Sequence, residues 1–260
     1  MRTARICVPG MAGVVAAAVH DGGARLVIGG RSVASAGVRF EPPCEGLVYG
    51  VILNDQDSLH AMGTQLHSAP YKSPPQAPVL YIKPYNTHVG HGSTVYLPDG
   101  VDRVQVCAAL GIVFGGQATR VSERSALEAV RGFTAVADLT LPHDSLHRPP
   151  IREKCFDGSC PIGPWLVGRE QVSDPDALEV LVRINGTVQQ QRSLRGLVRG
   201  VSRLIADVTE FLTLYPGDVL LAGVPVQAPI ARAGDAIAVD IPGIGQLEAH
   251  IAASAEGARQ

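Results

Sequence analysis

The sequence is poor in the features that would place it at once in a membrane, nucleic-acid or secreted class. Aromatic residues make up 5% of its 260 residues, and no run of 18 apolar residues occurs, so the sequence predicts no membrane-spanning helix. The 22 lysines and arginines are balanced by 24 acidic residues, which gives no reason to expect nucleic acid or an anionic membrane as a partner. What remains is ordinary globular composition, with enough length to bury a sizeable core.

Paired cysteines and the common catalytic motifs are also missing. The five cysteines are odd in number, and no CxxC occurs, so reduced thiols in the cytoplasm are expected rather than a disulfide framework. There is no nucleophile elbow and no phosphate-binding loop. The candidate functional residues are therefore single charged residues on apolar strands.

Short apolar stretches between turns are abundant, with 29 glycines and 19 prolines in the chain. "LVYGVIL", "VLYIKP", "VQVCAALGIVFGG" and "FTAVADLTL" each read as a strand. Apolar spacing predicts an amphipathic helix over 194–212 and a shorter one over 122–131, and the pair Asn185-Gly186 predicts a hairpin. We expect a β-rich α+β fold with a small N-terminal β appendage and linker (1–46) and a main domain (47–260).

Charged residues in or beside these strands are the candidates for function. Asp138 interrupts "FTAVADLTL", and a carboxylate on such a strand must be paired, hydrogen-bonded or bound to a metal. Lys83 ends "VLYIKP" as either a surface residue or a cation aimed into a pocket. Arg148, Lys154 and Asp157 cluster in an irregular Gly- and Pro-rich segment, where they are either solvated loop charges or part of an anion site.

Several motifs taken together resemble one family. "YIKPYNT", "RGFTAVADLT", "KCFDGSCPIGPWLV" and "EFLTLYPGDVLLAGVP" are similar in order and spacing to the fumarylacetoacetate hydrolase family over residues 47–251. "SAPYKSPPQAPVLYIKPYNT" and "LPHDSLHRPPIREKCFDGSCPIG" narrow the likeness to one branch. That branch comprises the bifunctional decarboxylase/isomerases of homoprotocatechuate (4-hydroxyphenylacetate) catabolism, two copies of the fold in tandem, and the resemblance is to the N-terminal copy.

The resemblance implies a mixed β-sheet roll that usually dimerises. It also implies a divalent cation, typically Mg²⁺, held by two glutamates on one strand and an aspartate on a later strand. The cation chelates a small-molecule 2-oxo acid and stabilises the dienolate that forms on decarboxylation. The implied substrates are 5-oxopent-3-ene-1,2,5-tricarboxylate and 2-hydroxyhepta-2,4-diene-1,7-dioate.

The family's functional residues are retained in part. Asp138 falls on the third metal ligand, Lys83 on a substrate-facing lysine, and Lys154 and Asp157 on a lysine and an aspartate before a Pro-Gly turn. The resemblance therefore implies catalytic roles for Lys83, Asp138 and Lys154. It implies substrate contacts for Lys83, Arg148, Lys154 and Asp157.

The departures concern the metal. The two glutamate positions hold Cys107 and Ala109, the arginine four residues after Asp138 is replaced by Pro142, and a threonine is replaced by Val224. One carboxylate is a poor site for Mg²⁺, which demands octahedral oxygen coordination. We therefore expect Mg²⁺ to be absent from this chain or weakly bound.

Three functions stay open on the sequence. The chain is a subunit of a decarboxylase/isomerase whose same-fold partner bears the metal, in a homo- or hetero-oligomer. Alternatively, it is a non-catalytic scaffold or pseudo-enzyme. The third reading is a metal-free tautomerase in which Lys83, with Asp138 or Asp157, moves a proton.

Overall fold

Strands dominate the chain, as predicted, and the β-rich fold is confirmed. The computed structural model describes residues 1–69, 72–143 and 150–254. The strands of this part of the chain are β1 Arg2–Cys7, β2 Val15–His20, β3 Arg25–Ile28, β4 Arg31–Ala34, β5 Arg39–Glu41, β6 Val48–Ile52, β7 Val79–Lys83, β8 His88–Val89, β9 Ser93–Tyr96, β10 Arg103–Phe114, β11 Val130–Thr140, β12 Cys160–Gly168, β13 Glu179–Ile184, β14 Thr187–Ser193, β15 Val219–Leu221, β16 Ile230–Arg232, β17 Ala236–Ile241 and β18 Gly245–Ala252. Its α-helices are α1 Gln56–Met62, α2 Ile151–Lys154 and α3 Val201–Thr209.

Two sheets make up the fold. The larger runs β4-β3-β2-β1-β12-β11-β10-β15-β6-β7, with β16, β5 and β8 attached at its sides, and the smaller runs β14-β13-β17-β18-β9. The N-terminal strands join the larger sheet, because β1 pairs with β12 through Arg2↔Val167 and Thr3↔Leu166. The segment 1–46, expected as an appendage, therefore extends the main sheet.

The centre of the larger sheet is the antiparallel pair β10–β11. Alternation along β10 separates its side chains onto two faces. Ala108 and Leu110 belong to the main core, which also takes in Val180 and Val239 of the smaller sheet. Cys107 and its neighbours on the other face belong to a separate apolar cluster. The two faces of β10 therefore have different surroundings.

Both sequence-predicted helices were wrong in extent. Over 194–212 only α3 is an α-helix, and 194–196 is a 3₁₀ turn. Gly200 is the extended N-cap of α3, and glycine disfavours continuous helix. Over 122–131 only a 3₁₀ turn at Ala126–Ala129 forms, because Val130 already begins β11. The hairpin at Asn185-Gly186 is confirmed, since both residues have the positive φ of a type I′ turn, 50° and 79°.

Candidate functional site

A buried ion cluster surrounds Asp138 in β11. The carboxylate is fully buried, with Lys83 Nζ at 3.0 Å from Oδ1 and Lys154 Nζ at 2.8 Å from Oδ2. Lys83 is the last residue of β7 and Lys154 the last residue of α2. The fold therefore brings together the three residues that the sequence selected as catalytic. We call them the Lys–Asp–Lys cluster.

The two lysines of the cluster differ in their remaining contacts. Lys83 donates to the carbonyl oxygens of Leu139 and Lys154 and to Ser159 Oγ. These three bonds use all the donors of an ammonium group, so its contact with Asp138 Oδ1 is ionic, and Oδ1 has no hydrogen-bond donor in the described chain. Lys154 donates to Asp138 Oδ2 and Thr140 Oγ1, both at 2.8 Å. Lys83 is therefore tied into the backbone, whereas Lys154 retains donor capacity.

Tyr81, which the sequence reasoning missed, closes the cluster. Its hydroxyl donates to Asp138 Oδ2 at 2.5 Å, and Lys154 Nζ lies 4.3 Å from its ring centroid. Gly50 lies opposite Tyr81 in the ladder, where a Cβ would come within 1.9 Å of the ring. The signal available was the strand period of two, which puts Tyr81 on the same face as Lys83.

Electrostatics keep Asp138 and Lys154 ionised. Burial alone would raise the pKa of Asp138, but Lys154 and Lys83 lower it to about 2. Burial likewise opposes the charge on Lys154, and Asp138 raises the pKa of that ammonium group. Burial and the nearby Asp138 charge raise the pKa of Tyr81, so its hydroxyl stays protonated. Two ammonium groups against one carboxylate leave an excess positive charge, which favours an anionic ligand.

The residues around Asp138 do not fit Mg²⁺. Cys107 stands directly opposite Asp138 in the β10–β11 ladder and Ala109 opposite Val136. Burial raises the pKa of the Cys107 thiol to about 11, so it is a neutral group. Within 1–69, 72–143 and 150–254, no group of three His, Cys, Asp or Glu side chains could hold a metal ion. Both oxygens of the one carboxylate face ammonium groups, which leaves no oxygen cage for this cation.

Of the other two residues predicted to contact substrate, Asp157 lies apart from this cluster. Asp157 is exposed, accepts a hydrogen bond from Asn86 Nδ2 at 2.8 Å, and lines a surface cavity of about 960 Å³ together with Arg152. Arg148 lies outside the described residues. Roles for both remain predictions.

Comparison with known proteins decides the family. The family model described as "Fumarylacetoacetate (FAA) hydrolase C-terminal" matches residues 47–252. The chain belongs to the fumarylacetoacetate hydrolase family. The resemblance inferred from the motifs around Lys83 and Asp138 is thereby confirmed.

Relatives of this chain include enzymes that act on small molecules. A "4-hydroxyphenylacetate degradation bifunctional isomerase/decarboxylase" from Salmonella dublin is 34% identical over 215 residues, which cover 83% of this chain and 49% of that protein. The chain spans about half the length of the first curated relatives it matches.

Solved structures of fumarylacetoacetate hydrolase type show the same fold. The 5-carboxymethyl-2-hydroxymuconate delta-isomerase from Mycobacterium smegmatis is 28% identical, with a TM-score of 0.82 over 98% of this chain and 100% of that one. A maleylpyruvate hydrolase from Sphingobium, solved with manganese(II) and pyruvate, is 20% identical, with a TM-score of 0.78 over 98% and 100% of the two chains. In the part of this chain that the structure describes, no helix has the length and apolar character to cross a membrane.

Proposed function

We propose that this chain is the metal-free subunit of a two-part isomerase/decarboxylase of 4-hydroxyphenylacetate catabolism. Its substrates are 2-oxo-ene di- and tricarboxylates, such as 2-hydroxyhepta-2,4-diene-1,7-dioate and 5-oxopent-3-ene-1,2,5-tricarboxylate. A same-fold sister chain that bears the metal completes the enzyme. Five free thiols favour the cytoplasm as its location.

The pairing of Asp138 with two lysines is the observation that carries this proposal. Its carboxylate is neutralised by Lys83 and Lys154, and the facing strand offers only a neutral thiol and a methyl group at Cys107 and Ala109. The match to about half of each bifunctional relative supports the same reading, because a second copy of the fold would supply what this chain lacks.

In this proposal the two chains contribute different parts of the reaction. Decarboxylation leaves an electron pair on carbon, and a chelated metal on the partner is the electron sink that this step needs. Lys154, with its hydrogen bonds to Asp138 and Thr140, retains an N–H for a substrate carboxylate or enolate oxygen. Lys83 holds Asp138 and the backbone in place as a positioning residue.

Tyr81 gives specific support to a second candidate, a metal-free tautomerase. Its hydroxyl, Asp138 and Lys154 form a continuous hydrogen-bonded series that can hold and move one proton. Tautomerisation breaks no C–C bond and requires only a placed acid and base. This activity would persist in the isolated chain in the presence of EDTA.

Reconstitution tests the main proposal. The purified chain is assayed for decarboxylation of 5-oxopent-3-ene-1,2,5-tricarboxylate alone and after mixing with a same-fold chain that carries both strand glutamates. We expect background turnover by the chain alone and Mg²⁺-dependent turnover by the mixture. Lys154→Met in the mixture lowers kcat by about 100-fold, Lys154→Arg restores part of it, and the exposed-site control Lys72→Met has no effect.

The other outcomes decide between the readings. Mg²⁺-dependent decarboxylation by this chain alone contradicts the proposal. Isomerisation above the solution rate in EDTA, without a partner, identifies the tautomerase. An inactive mixture in which the two chains nonetheless co-assemble identifies a scaffold.

A further inference from the structure

A second cation, the partly buried Arg192 of β14, approaches the same part of β10 from the smaller sheet. Its Nη2 donates to the carbonyl oxygens of Ala108, at 2.8 Å, and Gly223, at 2.7 Å. Its Nε and Nη1 are buried and have no acceptor among the described residues. The guanidinium is thus anchored at one nitrogen and unpaired at the other two.

Arg192 enters a gap in the larger sheet. On this edge, β10 is paired with β16 at residues 103–105 and with β15 at 111–113. Ala222 and Pro229 still make backbone hydrogen bonds to Leu110 and Val106. The segment 223–228 between them leaves β10, and there Arg192 donates to the Ala108 carbonyl in place of a strand. Ala108 is adjacent to Cys107, which stands opposite Asp138. The guanidinium and the Lys–Asp–Lys cluster therefore flank the same stretch of β10.

Arg192 forms no salt bridge with any residue that the structure describes. The nearest acidic influence comes from Asp55, whose side chain already accepts hydrogen bonds from the Ser58 amide and hydroxyl. Burial lowers the pKa of Arg192, and the charge of Asp55 offsets this in part. A buried guanidinium with unpaired N–H groups is unfavourable unless an anion completes it, and carboxylates are its best partners.

We propose that Arg192 binds one carboxylate of a small dicarboxylate, whose other end lies toward the Lys–Asp–Lys cluster. Because two cationic centres are present, we expect a dicarboxylate to bind more tightly than a monocarboxylate. That the ligand is a 2-oxo acid rests on the proposed function, whereas the carboxylate site rests on the contacts of Arg192. The competing role is purely structural, in which Arg192 only closes the gap in the sheet.

Calorimetric titration of the isolated chain separates these roles, with 2-oxoglutarate and pyruvate as probes. We expect the wild type to bind 2-oxoglutarate at least about tenfold more tightly than pyruvate. Arg192→Gln abolishes this preference and leaves pyruvate affinity unchanged, and Arg192→Lys retains part of it. Arg195→Gln, a matched change at an exposed arginine paired with Asp174, keeps the full preference.

The proposal is overturned if wild-type protein binds neither probe at millimolar concentration, or binds both equally. It is also overturned if Arg192→Gln lowers the Tm while the preference persists, since that is the structural role. If Arg192→Gln fails to fold, Arg192→Lys replaces it in the test. A preference for 2-oxoglutarate that is unchanged in Arg192→Lys would then overturn the proposal. No turnover or partner enters this titration, so an inactive reconstituted mixture contradicts the proposed function alone.

Discussion

The Lys–Asp–Lys cluster and Arg192 both place positive charge beside β10, but their N–H groups are satisfied differently. Lys83 and Lys154 meet a carboxylate within the chain, and Lys83 has every N–H bonded. Arg192 donates to two carbonyls, and its other two nitrogens have no acceptor in the described part of the chain. We therefore expect the cluster to stabilise the fold and Arg192 to bind a ligand. Substituting or titrating each group, and measuring the change in stability, tests this difference.

The largest effect is expected from Asp138→Asn. Removing the carboxylate charge leaves two buried ammonium groups without a counter-ion, which costs about 3–5 kcal/mol of the free energy of unfolding. Urea denaturation measures it. The matched change Asp157→Asn, at an exposed aspartate, alters stability by less than about 0.5 kcal/mol. Equal effects of the two variants would show that the cluster does not stabilise the fold.

Acid is expected to weaken the cluster and leave Arg192 unaffected. The pKa of Asp138 falls from 3.8 to about 2 on folding, so its stabilisation is complete above the unfolded pKa and lost as pH falls through the folded one. This corresponds to about 2 kcal/mol lost between about pH 4 and pH 2. Urea midpoints across this range measure the slope, as the difference between wild type and Asp138→Asn. A guanidinium stays protonated throughout, so Arg192→Gln must leave the slope unchanged.

Tyr81→Phe removes one hydrogen bond to Asp138 and keeps the ring over Lys154. We expect a loss of about 1.5–3 kcal/mol, the usual range for a hydrogen bond to a charged group. Thermal and urea unfolding report it, with Tyr85→Phe at an exposed tyrosine as the control. No change would mean that the two lysines alone satisfy the carboxylate.

The smallest effect on the free chain is expected from Arg192→Gln. The variant loses two hydrogen bonds to carbonyls but also removes a buried unpaired charge, so stability changes by no more than about 1 kcal/mol. 2-Oxoglutarate at one fixed concentration then raises the Tm of the wild type more than that of the variant, because only the wild type also holds it through Arg192. A loss as large as that of Asp138→Asn would make Arg192 part of the structural frame.

The sequence was informative where a charge contradicts its local pattern. Asp138 within an apolar strand and Lys83 at a strand end could be selected because burial demands a partner for each. Arg192 lies in "TVQQQRS", a polar strand in which an arginine looks ordinary, and its burial arises from the docking of the two sheets. The helix over 194–212 failed for a similar reason, since apolar spacing continues through Gly196 and Gly200 while the backbone does not.

The pairing of β1 with β12 has a consequence for handling the protein. Residues 47–252 alone match the family model, so a truncated version that begins at 47 is a natural choice for expression. Without β1, however, the backbone of Leu166 and Val167 loses its antiparallel partner. An apolar strand with an open edge is a template for intermolecular pairing. We therefore expect a version truncated at residue 47 to aggregate more readily than the full chain.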